Sequence, residues 1–148
     1  MSEINTQPGS SFFRYRLNGD SKINHESNKG IVVLIEPDAS VREALEFLLQ
    51  SEGWAVNGLD GCDGLTAAIG HERVVAVVSE SSLPDCTPEE ILEQCKKNGL
   101  PVIFTGHDMS LQGAVDLIRQ GASDFLDKPF PQGGLVDLLN GLSARQND

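Results

Sequence analysis

Short apolar runs alternate with longer amphipathic segments along the chain from residue 31 onward. Apolar runs that end at polar or glycine residues are typical of strands buried on both faces of a parallel sheet. The predicted strands are 31–35, 54–58, 74–78, 101–105 and 124–127. The predicted helices are 38–53, 61–70, 87–99, 110–122 and 132–144. This alternation predicts an α/β fold, a doubly wound five-stranded parallel sheet with five helices arranged as a three-layer sandwich.

The strongest local signal for a helix lies at its predicted start near residue 87. Thr87 and Glu90 have the spacing of a capping box, and Pro88 occupies the first helical position. The capping box supplies hydrogen-bond acceptors to backbone amides that have no partner within the first helical turn. Proline has no backbone amide hydrogen, so it leaves none unpaired there. The sequence therefore predicts a well-defined helix start directly after the third strand.

The composition changes near residue 30. Residues 1–29 are rich in Ser, Asn and Gly without sustained periodicity, which predicts a flexible N-terminal leader. Residues 30–146 are predicted to form one domain, and 148 residues suffice for a single core. Within the leader, the aromatic and basic segment 11–17 is interpreted first as a partly ordered tail, and docking on a partner or on the domain is the alternative.

Charge and apolar run lengths exclude two classes of partner. A net charge of −11 repels phosphate backbones, so we expect no direct nucleic-acid binding. No apolar run approaches the roughly 18 residues of a membrane span, and no secretory signal is visible, so we expect a cytoplasmic protein without membrane contact. The chain has three cysteines, Cys62, Cys86 and Cys95, and their spacing is not typical of a metal site. Because an odd number cannot be fully paired in disulfides, we interpret them as reduced thiols with packing roles.

Polar residues follow the predicted strands at the edge where ligands bind in this class of sheet. In doubly wound folds that edge is formed by the carboxyl ends of the strands. The residues there are Glu36, Pro37, Asp38, Glu80, Thr105 and Lys128. Single acidic residues on loops are commonly just solvated, but the shared position of these side chains favours a common site.

The region from about Ile31 to Ala144 resembles the receiver domain of two-component response regulators, nearest to the FixJ-like subset. The resemblance rests on "VVLIEPDASVREAL", "VVSESSLPD", "VIFTGHD" and "GASDFLDKPF". The last motif is the most specific, because a Lys-Pro pair follows a short strand that bears Phe125. The resemblance implies a flavodoxin-like fold and a cis bond between Lys128 and Pro129.

The resemblance also implies a chemistry, namely phosphoryl transfer from a histidine kinase to an aspartate at the end of the third strand. In the family, two acids after the first strand and this aspartate bind a divalent metal, usually magnesium. A lysine pairs with the phosphoryl group, and together with the metal it neutralises the charge on the oxygens. A Thr or Ser and an aromatic residue rearrange upon phosphorylation.

Three positions of this sequence match that family pattern. Lys128 occupies the phosphate-pairing position, while Thr105 and Phe125 occupy the switch positions. Glu80 is expected to contact Lys128, Thr105 or both. If that contact draws Thr105 inward, we expect Phe125 to turn into the vacated space. The alternative is that Glu80 points to solvent and Phe125 stays outward.

Two positions depart from the family pattern. Glu80 stands at the phosphoacceptor position, where its carboxylate reaches about 1.5 Å further than that of an aspartate. Pro37 replaces the second acid of the pair, and Asp38 is the candidate substitute. In-line phosphoryl transfer tolerates little misplacement, so phosphorylation is expected to be lost. No cofactor is expected, and metal binding by Glu36, Asp38 and Glu80 is expected to be weak or absent.

The sequence thus predicts a pseudo-receiver in two-component phosphorelay signalling, a non-enzymatic interaction module that works without phosphorylation. The alternative is a functional phosphoacceptor receiver, either alone or regulating a transcription-factor output domain absent from this chain. The expected partners are a histidine kinase or other signalling protein, and a second copy bound through the fourth helix, fifth strand and fifth helix. An enzyme or cofactor protein on the same fold is disfavoured because no phosphate-binding loop follows the first strand. His107 as a general base is disfavoured because no motif places a serine or cysteine nucleophile beside it.

Overall fold

The structure is a computed structural model that describes residues 29–147, with side chains described to residue 142. The predicted leader therefore lies outside the described residues, except for Lys29. The strands are β1 (Ile31–Ile35), β2 (Ala55–Leu59), β3 (Val74–Glu80), β4 (Val102–Gly106) and β5 (Asp124–Asp127). The helices are α1 (Ala39–Ser51), α2 (Leu65–Ile69), α3 (Pro88–Lys97), α4 (Leu111–Arg119) and α5 (Gln132–Asn147).

All strand pairs are parallel, and the strand order is β2-β1-β3-β4-β5. The predicted fold class is confirmed. The chain runs from β1 outward to β2 and then returns past β1 to β3, so strand order reverses beside β1. Such a reversal opens a crevice at the carboxyl ends of β1 and β3, which is where polar residues follow both strands.

The hydrophobic core forms two layers, one on each face of the sheet. Alternate residues of β1 point to opposite faces, so Ile31, Val33 and Ile35 pack with buried residues of α2, α3 and α4. Val32 and Leu34 pack with Leu49 of α1 and with buried residues of α5. The sheet is thus covered on both sides, as its continuous apolar strands require.

Strand β3 extends two residues beyond the prediction. The predicted strand ended at residue 78, whereas β3 continues through Ser79 and Glu80, which pair with Phe104 and Thr105 of β4. This ladder buries Glu80, whose residue surface is only 8% exposed. Its carboxylate therefore belongs to the end of the sheet and not to a solvated loop.

The start of α3 has the predicted capping box. The Thr87 side chain accepts a hydrogen bond from the Glu90 amide, and the Glu90 side chain accepts one from the Thr87 amide. Helix α2 is shorter than predicted and begins only at Leu65. Gly64 before it has a φ of 90°, a left-handed conformation that suits glycine and that interrupts a regular helix.

The prediction of reduced thiols is wrong for two of the three cysteines. Cys62 and Cys86 are joined by a disulfide, with their Cα atoms 6.4 Å apart. They are 24 residues apart in sequence but lie on adjacent loops, because β2–α2 and β3–α3 connections emerge at the same edge of the sheet. Cys95 is free and buried, as packing requires, and desolvation raises the pKa of its thiol to about 11.

Lys29, the first described residue, contacts the domain. Its amide donates to the Gly53 carbonyl, and its ammonium lies 4.5 Å from the centroid of the buried Trp54 ring. This cation–π contact places the last residue of the predicted leader against the domain. Among the described residues, no helix has both the length and the apolar character needed to cross a membrane.

Candidate functional site

A lysine lies between two buried glutamates at the carboxyl edge of the sheet. The Lys128 Nζ atom is 2.6 Å from Glu36 Oε1 and 2.6 Å from Glu80 Oε1. Glu36 follows β1, Glu80 ends β3 and Lys128 follows β5, so the strand order brings together side chains that are distant in sequence. We call Glu36, Lys128 and Glu80 the ion triad.

Backbone amides donate hydrogen bonds to the second carboxylate oxygen of each glutamate. Glu36 Oε2 accepts a hydrogen bond from the Asp38 amide, and Glu80 Oε2 accepts one from the Ser82 amide. All four carboxylate oxygens therefore have a partner within the protein. This arrangement satisfies charged groups that burial would otherwise penalise heavily.

The ion triad alters the acidity of its lysine. Burial alone would lower the pKa of the Lys128 ammonium, but the hydrogen bonds and charges of Glu36 and Glu80 outweigh it, so the pKa lies above the ordinary 10.5. Lys128 therefore stays charged at neutral pH. One positive charge facing two carboxylates leaves the triad with an excess of negative charge.

Asp38 lies beside the triad but serves a different purpose. Its Oδ1 atom accepts hydrogen bonds from the amides of Ser40 and Val41, which makes Asp38 the N-cap of α1. Its side chain is exposed, and only its backbone amide contacts Glu36. Sequence reasoning placed Asp38 as a substitute for the acid missing at Pro37, whereas the structure uses its carboxylate to start a helix.

The two switch positions lie on neighbouring strands next to Glu80. Thr105 is 2% exposed and pairs with Glu80 across the sheet, although within residues 29–142 its side chain makes no hydrogen bond to Glu80. The ring of Phe125 is half-buried and packs against the core. A Cβ atom on Gly106 would lie 3.4 Å from Phe125 Cζ and 2.5 Å from Ser81 Oγ, so glycine permits this close packing.

The expected contact of Glu80 with Lys128 is present, and the solvent-pointing alternative is wrong for Glu80. The position of Phe125 does not by itself define a switched state. The predicted roles of Thr105, Phe125 and Lys128 in switching stay predictions.

A cavity of about 720 Å³ opens beside the triad. Its lining includes the polar side chains of the triad and exposed His107, and the apolar side chains of Leu45 and Leu48 of α1 and of Phe130. Sequence reasoning did not place the α1 leucines at this site. It also missed Arg42, whose Nη1 atom donates to the Glu36 carbonyl at 2.7 Å, because the target is a backbone atom without a sequence signal.

The donor atoms of the triad fit a magnesium ion poorly. Magnesium requires several oxygen ligands in near-ideal octahedral geometry. Here Lys128 already occupies one oxygen of each glutamate, Asp38 caps a helix, and Pro37 offers no side-chain oxygen. Among the described residues, the acids around the triad do not converge as a metal-binding group, whereas Cys62, Asp85 and Cys86 have ligand atoms within 4.8 Å of one another.

Comparison with known proteins identifies the class to which this fold and site belong. The model of the response regulator receiver domain family matches residues 32–140. The chain belongs to this family, the receiver domains of two-component signal transduction.

A curated relative and one solved structure agree with this assignment, and a second solved structure shares the fold. The transcriptional regulatory protein FixJ of Bradyrhizobium diazoefficiens is 34% identical over 117 residues, covering 76% of this chain and 56% of FixJ. Full-length FixJ from B. japonicum is 30% identical with a TM-score of 0.71, covering 80% of this chain and 59% of that one. The chain thus spans little more than half the length of these relatives.

The second structure shares the fold. It is the receiver domain of sensor histidine kinase PA1611 from Pseudomonas aeruginosa PAO1, with a magnesium ion coordinated in its active site cleft. It is 22% identical with a TM-score of 0.68, covering 78% of this chain and 98% of that one.

Proposed function

We propose that this receiver domain is a pseudo-receiver, an interaction module of two-component signalling that works without aspartyl phosphorylation. The observation that carries the proposal is the ion triad, in which Lys128 bridges Glu36 and Glu80 at 2.6 Å each. The lysine that pairs with a phosphoryl group in the family is already paired with carboxylates here. In this proposal the domain is cytoplasmic and not an enzyme, and its partners are a histidine kinase or other signalling protein.

Two physical arguments support the loss of phosphorylation. A nucleophilic carboxylate needs a free oxygen aligned with the phosphorus, but both oxygens of Glu80 already accept hydrogen bonds. The metal that neutralises the phosphoryl charge also lacks a ligand at Pro37. Either change would slow phosphoryl transfer to Glu80, and together they favour a site that is not phosphorylated.

The triad itself resembles part of a phosphorylated site. A phosphoryl group adds about two negative charges, whereas Glu80 provides one, and it reaches Lys128 with its longer side chain. We propose that Glu80 is a constitutive, partial substitute for the phosphoryl group. The surface of α4, β5 and α5 is the proposed site of dimerisation or partner binding.

The test is incubation of the full chain with acetyl phosphate and magnesium, followed by intact mass spectrometry. We expect no species about 80 Da heavier, the mass added by one phosphoryl group. Magnesium at millimolar concentration should also leave the fluorescence of buried Trp54 and the melting temperature unchanged. A stoichiometric adduct on Glu80 or Asp38 would overturn the proposal.

The alternative, a functional phosphoacceptor receiver, is favoured by the intact positions of Lys128, Thr105 and Phe125. The double substitution Pro37→Asp with Glu80→Asp separates the two functions. The double variant restores an aspartate acceptor and a second acidic metal ligand. If their loss is what prevents phosphorylation, the double variant should gain the phosphoryl adduct. Glu80→Gln is the unreactive control. Equal phosphorylation of the native chain and the double variant would support the alternative.

A further inference from the structure

We propose that Cys62 and Cys86 form a reversible thiol–disulfide site that ties the β3–α3 loop, which follows Glu80, to the β2–α2 loop. The two residues are joined in the structure, and neither is fully buried, so both sulfur atoms can meet a small thiol or disulfide. Their Cα separation of 6.4 Å falls in the range that a disulfide spans. Nothing in the phosphoryl chemistry of the family uses these positions.

The loops that carry the two cysteines are held together independently of the sulfur atoms. The Cys62 amide donates a hydrogen bond to Asp85 Oδ2 at 2.9 Å, which joins the β2–α2 loop to the β3–α3 loop. A Cβ atom on Gly61 would lie 2.9 Å from the same oxygen, so glycine allows the Asp85 carboxylate to approach. This contact positions the cysteines before any bond forms and also keeps them together when they are reduced.

The same group of side chains is less well suited to a metal ion. Cys62, Asp85 and Cys86 offer three ligand atoms within 4.8 Å of one another. A structural zinc site needs four ligands, and one Asp85 oxygen already accepts the Cys62 amide. Disulfide formation needs only the two sulfur atoms, so it is the chemistry that this geometry favours.

The β3–α3 loop connects the disulfide to the ion triad, so the redox state of the cysteines can affect the triad. Ser82, whose amide donates to Glu80 Oε2, and Cys86 lie on the same connection between β3 and α3. Cys86 also directly precedes Thr87, the N-cap of α3. Closing the disulfide therefore restrains this connection at Cys86, and opening it removes that restraint and lets the Ser82 amide leave Glu80 more readily.

The exchange reaction is balanced with a small-molecule disulfide such as oxidised glutathione as the oxidant. One cysteine thiolate attacks a glutathione sulfur and releases one glutathione thiolate. The second cysteine thiolate then attacks the mixed disulfide, forming the Cys62–Cys86 bond and releasing the second glutathione. The two cysteines lose two electrons and two protons in total, and glutathione disulfide gains them. Excess reduced glutathione reverses both steps.

The experiment equilibrates the full chain in buffers of increasing oxidised-to-reduced glutathione ratio, with intact mass and alkylation by N-ethylmaleimide as readouts. We expect the oxidised chain to be about 2 Da lighter, the mass of two hydrogens, and to lose two alkylation sites. Oxidation should raise the melting temperature by about 5–15 °C, because it closes a loop in the unfolded chain. Hydrogen exchange in residues 81–87 should slow several-fold.

Variants separate the pair from the remaining cysteine. Cys62→Ser and Cys86→Ser should each abolish the mass loss and the thermal shift, whereas Cys95→Ala, at the buried free cysteine, should retain the mass loss. Three outcomes would overturn the proposal: mixed disulfides with glutathione without ring closure, a bond that excess reduced glutathione does not open, or stoichiometric zinc that protects both thiols. These readouts do not depend on whether Glu80 can be phosphorylated.

Discussion

At the scale of single residues, one lysine compensates the charge of two buried glutamates. Lys128 contacts Glu36 and Glu80 separately, and these two contacts form the ion triad. A buried ion pair is weak evidence of net stability, but removing one member leaves charge without compensation. Lys128 is therefore the residue of the triad whose removal should cost most, since it neutralises two neighbours.

We predict that Lys128→Met destabilises the domain by about 3 kcal/mol in urea unfolding at pH 7. The exposed Lys97→Met is the matched control and should change stability by less than about 0.5 kcal/mol. The difference should vanish at high pH. Because the folded-state pKa of Lys128 is raised, its contribution is fully present below pH 10.5 and is lost as the pH rises through the folded value. Equal stabilities of the two variants at pH 7 would contradict this account.

The sequence predicted which residues meet at the site but not all of their contacts. Glu36, Glu80 and Lys128 were predictable because parallel strands end at one edge. The helix-capping role of Asp38 was not, since it depends on backbone angles that a charge pattern does not report. The Cys62–Cys86 contact was missed for a similar reason, because loop conformation and not spacing brings the two residues together.

At the scale of helices and strands, element types were more predictable than their ends. The central strands were recognisable from continuous apolar runs, and the start of α3 from its capping box. Strand β3 continued past its apolar run because hydrogen bonding to β4 does not require apolar side chains. The length of helix α2 was overestimated because Gly64, which precedes it, adopts a left-handed conformation.

The capping box provides a quantitative test at this scale. We predict that Thr87→Ala costs about 1 kcal/mol of unfolding free energy, because the Glu90 amide loses its side-chain acceptor at the helix start and keeps only the Thr87 carbonyl. Glu93→Ala, at an exposed position in the middle of the same helix, is the control and should cost much less. Urea denaturation under reducing conditions measures both without a contribution from the adjacent disulfide. A cost for Thr87→Ala no larger than the control would show that the cap is dispensable.

At the scale of the whole molecule, the two faces of the sheet present different exposed apolar residues. Leu111 and Ile118 of α4 are 81% and 43% exposed, and a groove between α4 and β5 is lined by Phe125. Phe47 of α1 is 74% exposed but belongs to a helix on the opposite face. The α4 side is the surface that the proposed function uses for dimerisation.

We predict that Leu111→Asp weakens self-association of the chain at least about tenfold, since it places a charge in an apolar contact. Phe47→Asp, with a similarly exposed apolar residue on the other face, should leave association unchanged. Glu80→Gln should also weaken association if the triad holds the associating conformation. Sedimentation of the four proteins side by side measures this, and identical association constants for Leu111→Asp and the native chain would exclude the α4 surface.

The ion triad has a consequence for how long a signal from the proposed pseudo-receiver lasts. An acyl phosphate is a labile bond, and its hydrolysis returns the domain to the unphosphorylated state, so the signal of an ordinary receiver has a limited duration. The charge of Glu80 is part of the polypeptide and persists until the chain is degraded. In such a module the strength of the output follows the number of copies in the cell, and its duration is governed by synthesis and proteolysis.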